Sequence, residues 1–539
     1  MAGTTSKNKT VDAGASPAAL PYHHISGRLP AQNNMGVINK IISAPPHADA
    51  VADAEMSAGN MLISLAAARL FNWSPQFAGR AQLQQNVMWF RDLNVHYHVG
   101  VDGLSMVTVL LICGISLIAI LASYGVNAQV KAYYVVMLLL EGCVVGAAAS
   151  MDLFLFYLLT TVSLFPCFLL IGVWGGARRR PAALKMALFW ITGSAAMLGA
   201  CLLISLSTRG VGGFGQGTLS FTRIAQDPQL RLALGPANPW TTAAFWLLML
   251  ALGIRLGAAG VHFWLPDSVA ESAAPSAMMI ICSQFLLAGY ALDRFVVALF
   301  PMQLVIWRNT LAILGAAGVI YAALCGLAQS DFRRVIAYWL IGQAGFVLLG
   351  VAAGNITGFN GGFLLTLGAS VTTMAMLWTS HIIEVRASHR DLPRLGGLAQ
   401  VIPDLFIFSM IGFMSALALP GLAVFGGDLL TILGMFRAAS VSAKQHVLMG
   451  NALLPAALAM CIAMVLMAAV LLWTIERLFF GPGRPEHQHF HALSLRERLV
   501  FLPLIIALLA GGILPTLLVL DPVAPVLKTL VRALSGVLH

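Results

Sequence analysis

The chain has 539 residues, of which 59% are hydrophobic and only 10% are charged, and its mean hydropathy is +0.85. A soluble protein of this length cannot keep so apolar a surface in water, so the composition predicts a polytopic membrane protein. The formal net charge of +10 does not indicate nucleic-acid binding. The basic residues are scattered over loops between apolar segments, where membrane topology accounts for them.

The first hundred residues divide into two predicted parts. Residues 1–58 are rich in Ala, Ser, Asn, Pro and His and have no helical apolar period, which is typical of a disordered polar tail. Residues 59–100 contain the apolar segment Met61 to Trp73. This segment is only about half a membrane thickness long, so we expect it to be interfacial. Its late position does not fit a secretory signal.

Residues 101–520 form the predicted transmembrane domain, with about 12 apolar segments long enough to cross a bilayer. Residues 521–539 follow as a short C-terminal tail. The predicted spans are 101–124, 131–150, 152–175, 186–207, 240–264, 274–300, 308–328, 334–353, 361–384, 403–437, 452–480 and 497–520.

Two of these spans contain helix-breaking residues. The span at 240–264 is loosened by glycines, and the span at 403–437 is too long for one crossing. Broken helices in lipid need protein or water to satisfy the freed backbone groups, and two breaks in separated halves of a chain indicate transport. The residues concerned are Gly253, Gly257 and Gly260 in the first span, and Pro420, Gly421, Gly426 and Gly427 in the second.

Cysteine and charge patterns restrict chemistry and topology. The seven cysteines lie in or beside apolar spans without a CxxC pair, which predicts neither disulfides nor an iron–sulfur or zinc site. His96 and His98 lack the spacing of metal ligands. Loops on one side carry more Lys and Arg, so that side is predicted to be cytoplasmic and both termini periplasmic. These residues include 178–185, Arg333, Arg334, Arg386, Arg390, Arg394, Arg477, Arg484, Arg496 and Arg498.

Six motifs between residues 90 and 520 carry a family resemblance. In order and spacing they resemble subunit M of bacterial respiratory complex I, the antiporter-like chain of NADH:quinone oxidoreductase that is equivalent to mitochondrial subunit 4. The motifs are HYHVGVDGLSM (96–106), DLFLFYLL (152–159), VHFWLPD (261–267), AQSDFRRVIAY (328–338), HRDLPRLGGL (389–398) and LPGLAVFGGDLL (419–430). The sequence is therefore similar to this family as a divergent paralogue.

The resemblance implies an all-α antiporter-like fold of two inverted five-helix repeats, each with one broken helix. A line of charged residues at mid-membrane would carry protons, driven by redox chemistry in other subunits. The family has two further spans at its N-terminus, which this chain is expected to lack. The resemblance also implies that NADH, flavin, iron–sulfur clusters and quinone bind to partner subunits, with no cofactor and no catalytic residue in this chain.

Carrying the family pattern over leaves four candidates for the proton path, which are Glu141, Arg255, His262 and Asp428. Asp267 and Glu271 are secondary candidates for the same proton path. Arg255 stands where the family has lysine, and an arginine keeps its proton at ordinary pH. Four positions have lost the titratable group of the family, namely Thr161, Leu286, Gln343 and Ala369.

Each candidate also has a structural interpretation. Arg255 would be a structural ion pair, with Glu141 as a possible partner across adjacent helices. Asp428 would cap the helix that resumes after the Gly-Gly pair. His262 and Asp267 would cap a helix end. Glu141 favours function, because a lone carboxylate in mid-span is costly.

The sequence therefore predicts a membrane-arm subunit of a proton-translocating NADH:quinone oxidoreductase in a bacterial inner membrane, with a degraded proton path of its own. Its partners would be other membrane-arm and peripheral subunits and the lipid bilayer. Two alternatives stay open. One is a subunit of a cation/proton antiporter, a membrane-bound hydrogenase or a bicarbonate-uptake assembly, and the other is a non-conducting scaffold paralogue.

Overall fold

The computed structural model describes residues 46–90, 94–211, 217–444, 452–481 and 489–538. Within these ranges, 11 helices are long and apolar enough to cross a membrane, or up to 12 if a bent pair near the C-terminus is one span. The chain is thus a multi-pass membrane protein of the predicted helical class, and the predicted number of spans is confirmed.

The helices are numbered here in chain order. Those of the first half are α1 (Pro46–Leu70), α2 (Pro75–Ala78), α3 (Gly103–Ala122), α4 (Val130–Ala148), α5 (Leu153–Val162), α6 (Leu164–Trp174), α7 (Arg179–Ser207), α8 (Phe221–Gln226), α9 (Pro228–Ala233), α10 (Pro239–Leu256), α11 (Leu265–Glu271) and α12 (Ala274–Leu299). Those of the second half are α13 (Pro301–Leu327), α14 (Phe332–Ala352), α15 (Ile356–Ala387), α16 (Leu398–Val401), α17 (Pro403–Ala416), α18 (Ala423–Lys444), α19 (Leu453–Phe479), α20 (Leu495–Ile513) and α21 (Asp521–Leu538). Helices α5 and α6 together form one span, and α12 contains two π-helical turns.

The segment before the first span differs from the sequence expectation. Helix α1 runs across the predicted boundary at residue 58 and packs against α3 and α4, where the Ser64 hydroxyl lies 3.2 Å from the Cys113 sulfur. Strands β1 (Gln82–Phe90) and β2 (Val95–Val101) then form an antiparallel hairpin that pairs Asn86 with His98. The hairpin was not predicted, since β1 is exposed along almost its whole length and shows no alternation of burial.

Both predicted helix breaks are present. The first separates α10 from α11, and Gly257 adopts a left-handed conformation there, with φ of 73°. The Trp264 indole donates a 2.8 Å hydrogen bond to the carbonyl of Ile254. The backbone oxygen freed by the break is therefore satisfied by the chain itself, as a lipid environment requires.

The second break lies earlier than the sequence suggests. It separates α17, which ends at Ala416, from α18, which begins at Ala423. Pro420 and Gly421 fall in the break, whereas Gly426 and Gly427 belong to α18. These two glycines therefore serve helix packing and do not interrupt the helix.

Close packing of α18 against α15 explains the glycines. A Cβ atom at Gly427 would lie 2.7 Å from the backbone nitrogen of Leu365, and one at Gly368 would lie 2.7 Å from the carbonyl oxygen of Ala423. Small residues let helix backbones approach closely in membranes. This contact fixes the position of Asp428, the next residue along α18.

The C-terminal region bends sharply. The predicted span at 497–520 ends at Ile513, and the chain then turns by 88° into the helical segment that leads to α21. Helix α21 occupies most of the predicted C-terminal tail, with Val523 and Leu527 buried and Asp521 and Lys528 exposed. The segment is an amphipathic helix packed against the ends of the spans.

We expect Gly427→Ala to destabilise the protein by roughly 1–3 kcal/mol, because the added methyl group meets backbone that cannot move aside. Gly114→Ala in α3 is the matched control, since a Cβ atom there has nothing within 4 Å. Unfolding of the two purified variants in detergent measures the difference. Equal stability would show that α15 and α18 do not need this close approach.

Candidate proton path

Arg255 lies at the C-terminal end of α10, next to the first break, and only 4% of its surface is exposed. Its Nη1 donates to the side-chain oxygen of Gln284 at 2.9 Å, and its Nη2 donates to the carbonyl oxygen of Thr160 at 2.6 Å. The guanidinium also lies over the Trp190 ring, 4.8 Å from its centroid. All three contacts are with neutral groups, so the charge is held by dipoles and an aromatic face.

Glu141 lies elsewhere. It is 1% exposed on α4, and its carboxylate faces the hydroxyls of Ser57 and Ser116 and the amide of Asn60. Neither carboxylate oxygen has a hydrogen bond of ordinary geometry within the described chain. The predicted Glu141–Arg255 pair is therefore wrong. Helix α1, whose packing the sequence did not predict, supplies two of the three polar neighbours.

Of the four positions without the family's titratable group, Thr161 lies next in the chain to a partner of Arg255, whereas Gln343 lines a cavity with Asp428. Thr161 follows Thr160, which binds the guanidinium, and its own hydroxyl is buried without a partner. Leu286 is fully buried in α12, two residues after Gln284. Within the described parts of the chain no carboxylate pairs with Arg255, so its guanidinium has no counter-ion there.

His262 lies within the first break and is 2% exposed. Its Nε2 is 3.1 Å from the Tyr321 hydroxyl on α13, and its Nδ1 accepts from the backbone N–H of Gly260 at 3.3 Å. The ring therefore links the first helix break to α13 through the Tyr321 hydroxyl. Among the described residues the ring makes no hydrogen bond to α11, although the backbone carbonyl of His262 accepts from the N–H of Leu265, the first residue of that helix, at 2.8 Å.

Asp267 and Glu271 lie at opposite ends of the short helix α11, and both connect it to neighbouring elements. Asp267 pairs with Lys185 at 2.7 Å and with Arg334 at 2.9 Å. The Glu271 carboxylate accepts from the backbone N–H of Arg178 at 2.8 Å. Both acids therefore join α11 to α7, α14 and the loop before α7.

Asp428 is 3% exposed on α18, and its Oδ1 has no hydrogen-bond partner among the described residues. The helix begins five residues earlier, at Ala423, so the N-cap interpretation is wrong. Asp428 and Gln343 line one cavity of about 20 Å³, and the Gln343 amide oxygen is also unpaired. This volume holds about one water molecule. Ala369 is fully buried on α15.

Sequence reasoning missed several charged contacts. Arg294 on α12 forms a buried ion pair with Asp102, the N-cap residue of α3. Arg333 is 3% exposed and binds Glu384 at 2.6 Å and the carbonyl oxygen of Ser272 at 2.6 Å. Asp102 and Arg333 both lie inside the quoted motifs, which was the available signal. Gln284 and Trp190 carried no such signal, because amide and aromatic residues are common in spans.

We expect Gln284→Met to destabilise the protein by about 1.5–3 kcal/mol, because it leaves an Nη1 donor of buried Arg255 without an acceptor. Gln343→Met is the matched control, since the side-chain oxygen of that glutamine is already unpaired. The free energy of unfolding in detergent is the measurement. A cost at Gln343 equal to that at Gln284 would contradict the assigned role of Gln284.

Comparison with known proteins was made at the level of sequence and of structure. Residues 150–453 match the family described as NADH:quinone oxidoreductase/Mrp antiporter, TM. NAD(P)H-quinone oxidoreductase chain 4 1 of Synechococcus elongatus is 32% identical over 438 residues, which cover 81% of this chain and 78% of the relative. NADH-quinone oxidoreductase subunit M of Rhodobacter capsulatus is 30% identical and covers 82% of this chain and 83% of its own.

Solved structures share the fold. A chain of respiratory complex I from Thermus thermophilus matches with a TM-score of 0.77 and 24% identity, covering 92% of this chain and 96% of its own. A chain of the Mrp complex from Dietzia matches with a TM-score of 0.76 and 18% identity, covering 93% and 96%. Since the family match spans more than half of the residues, the chain belongs to the NADH:quinone oxidoreductase/Mrp antiporter transmembrane family, as a subunit M-type (chain 4-type) member.

Proposed function

We propose that this chain is a membrane-arm subunit of a proton-translocating NADH:quinone oxidoreductase and that its own proton path is degraded. Relatives named as subunit M or chain 4 of that enzyme support the first part of the proposal. The setting of Arg255 supports the second part. In this proposal the subunit transmits coupling through the membrane arm and has a structural role there, while other subunits move most of the protons.

The observation that carries the proposal is the neutral environment of Arg255. A proton relay needs groups whose pKa responds to the charge of a neighbour. A guanidinium keeps its proton, and its partners Gln284 and the carbonyl of Thr160 have no charge to change. At the position where the family has a lysine there is thus a permanent cation, Arg255, whose hydrogen-bond partners are neutral dipoles.

Glu141 and Asp428 lie in different surroundings. Glu141 faces α1 and α3, whereas Asp428 faces a cavity lined by α14, α17 and α19. Leu286, Gln343 and Ala369 occupy positions at which the family pattern places titratable residues. A proton released at either carboxylate would meet no titratable neighbour at these positions, so we infer that the two acids act separately.

Under this proposal the redox chemistry lies outside the chain. NADH, flavin, iron–sulfur clusters and quinone would bind to partner subunits, and this subunit would supply no catalytic residue. The assembly would lie in a bacterial inner membrane, with both termini of this chain on the periplasmic side. The excess of Lys and Arg in the opposite loops supports that orientation.

We expect Glu141→Gln and Asp428→Asn to leave proton pumping by the native complex unchanged. Each variant removes a titratable group while preserving its size, and the proposal assigns neither group an obligatory transfer step. The measurement is the number of protons translocated per NADH oxidised in reconstituted vesicles, with the rate of NADH oxidation as the control for assembly. A fall in that ratio at either position, with oxidation preserved, would overturn the degraded path.

The double variant Thr161→Glu with Leu286→Lys restores two of the titratable groups of the family. We expect the same proton-to-NADH ratio as in the wild type, because Gln343 and Ala369 still interrupt the line. Thr161→Gln with Leu286→Met is the uncharged control for packing. A higher ratio in the charged double variant alone would show that only these two groups limited conduction.

A cation/proton antiporter subunit is the second candidate. Its support is the fold, which matches a chain of the Mrp complex almost as well as a chain of complex I. Affinity purification of the chain from native membranes separates the two functions. Co-purification of flavin and iron–sulfur subunits supports the oxidoreductase, whereas an assembly of membrane subunits alone supports the antiporter.

A further inference from the structure

Two cavities lie on either side of the start of α21. The first has a volume of about 450 Å³ and is lined almost entirely by apolar residues. They come from α3, α15, α20 and the bend before α21, and include Leu110, Leu364, Ala510 and Val519. A cavity of this size is within the range of about 300–1,000 Å³ that is usual for ligand sites.

The second cavity has a volume of about 730 Å³ and a mixed lining in which charged and amide side chains lie among apolar ones; it is called the polar cavity below. It includes two arginines, Arg80 and Arg294, together with Asp102, Gln84 and Gln226. Its walls come from the N-cap of α3, the C-terminal part of α12, the short helix α8 and one face of α21. These are the ends of membrane spans and segments outside them, so the cavity lies at the level where lipid headgroups meet a membrane protein.

The two cavities adjoin at one backbone contact. Asp102 lines the polar cavity, Pro522 lines the apolar cavity, and Gly103 packs directly on the carbonyl oxygen of Pro522. A Cβ atom at Gly103 would overlap that oxygen. Residues of α21 therefore line both cavities, Pro522 the apolar one and Val526 the polar one.

Positive charge dominates the polar side. Arg294 is 1% exposed, and although it pairs with Asp102, its Nε–H has no partner among the described residues. Arg80 is exposed and its side chain makes no ion pair in the described chain. Among the residues that line the cavity, two arginines thus face one carboxylate, that of Asp102, so the cavity attracts anions.

From this juxtaposition we infer that an anionic phospholipid binds here, with its phosphate in the polar cavity against Arg80 and Arg294 and an acyl chain in the apolar cavity. Arginine forms strong charge-assisted hydrogen bonds with phosphate oxygens. Basic pockets between transmembrane helices are known sites for anionic headgroups. A free anion would use only one of the two cavities, whereas an amphiphile uses both.

The orientation of α21 fits this ligand. The helix buries Val523 and Val526 against the protein and exposes Lys528, as expected for an amphipathic helix at the membrane interface. A lipid that bridges the two cavities would hold α21 against α3 and α12. The inference does not rest on proton conduction by this chain, so it can stand or fall independently of the proposed function.

The test is binding of phosphatidylglycerol to the full-length, delipidated protein, counted by native mass spectrometry. We expect one tightly held lipid, and an affinity about tenfold lower in Arg80→Gln, which removes a charged hydrogen-bond donor. Ala510→Phe, which fills the apolar cavity, should weaken binding to a similar extent. Both positions are at least partly exposed, so the variants should fold, and circular dichroism checks their helicity.

Arg209→Gln is the matched control, since Arg209 is an exposed arginine that lines neither cavity. It should bind the lipid as the wild type does. Equal binding of phosphatidylcholine would overturn the inference, because it would show that the net charge of the headgroup is not recognised. Competition by inorganic phosphate that is unaffected by Ala510→Phe would also overturn it, in favour of a site for soluble anions.

Discussion

Polar groups inside a membrane must find their partners within the protein, and this constraint governs the structure described here. The break after α10 frees the carbonyl of Ile254, and the Trp264 indole satisfies it. The charge of Arg255, one residue further along, is met by an amide, a carbonyl and an aromatic ring. The packing of the helices, the helix breaks and the buried charged residues therefore all depend on where polar groups find hydrogen-bond partners within the protein.

The kind of group that serves as hydrogen-bond partner to each buried charge bears on function. Gln284 and Thr160 stabilise the charge of Arg255 by dipoles that do not titrate, whereas a carboxylate partner could change its own charge by binding a proton. Two acids predicted for the path, Glu141 and Asp428, are buried, and within the described parts of the chain both oxygens of Glu141 and Oδ1 of Asp428 have no hydrogen-bond partner. The hydrogen-bond partners of Arg255 are thus neutral, which is the observation on which the proposed loss of proton conduction rests.

Glycine packing and buried ion pairs show how the same constraint shapes the rest of the fold. Gly427 and Gly368 bring α18 and α15 into backbone contact, which van der Waals forces stabilise in the absence of a hydrophobic driving force between helices. Arg294 and Asp102 join α12 to the start of α3 at the wall of a polar cavity. Arginine can be buried at such a place because its charge is paired and its guanidinium lies over the Phe221 ring.

The sequence by itself determined the membrane class, the approximate spans, the two breaks and the family, because hydropathy, glycine and proline positions, and ordered motifs are local properties of the chain. Only the tertiary structure decided which residues meet. It showed that Arg255 binds Gln284 and Thr160, and that Glu141 faces helix α1. It also showed that Asp428 lies inside a helix next to Gln343. These contacts join residues far apart in the chain, and a neutral amide in an apolar span has no pattern that reveals its partner. The sequence motifs therefore identify the family, whereas the packing of the helices decides which groups surround the charged residues of this member. No local sequence pattern encodes that packing.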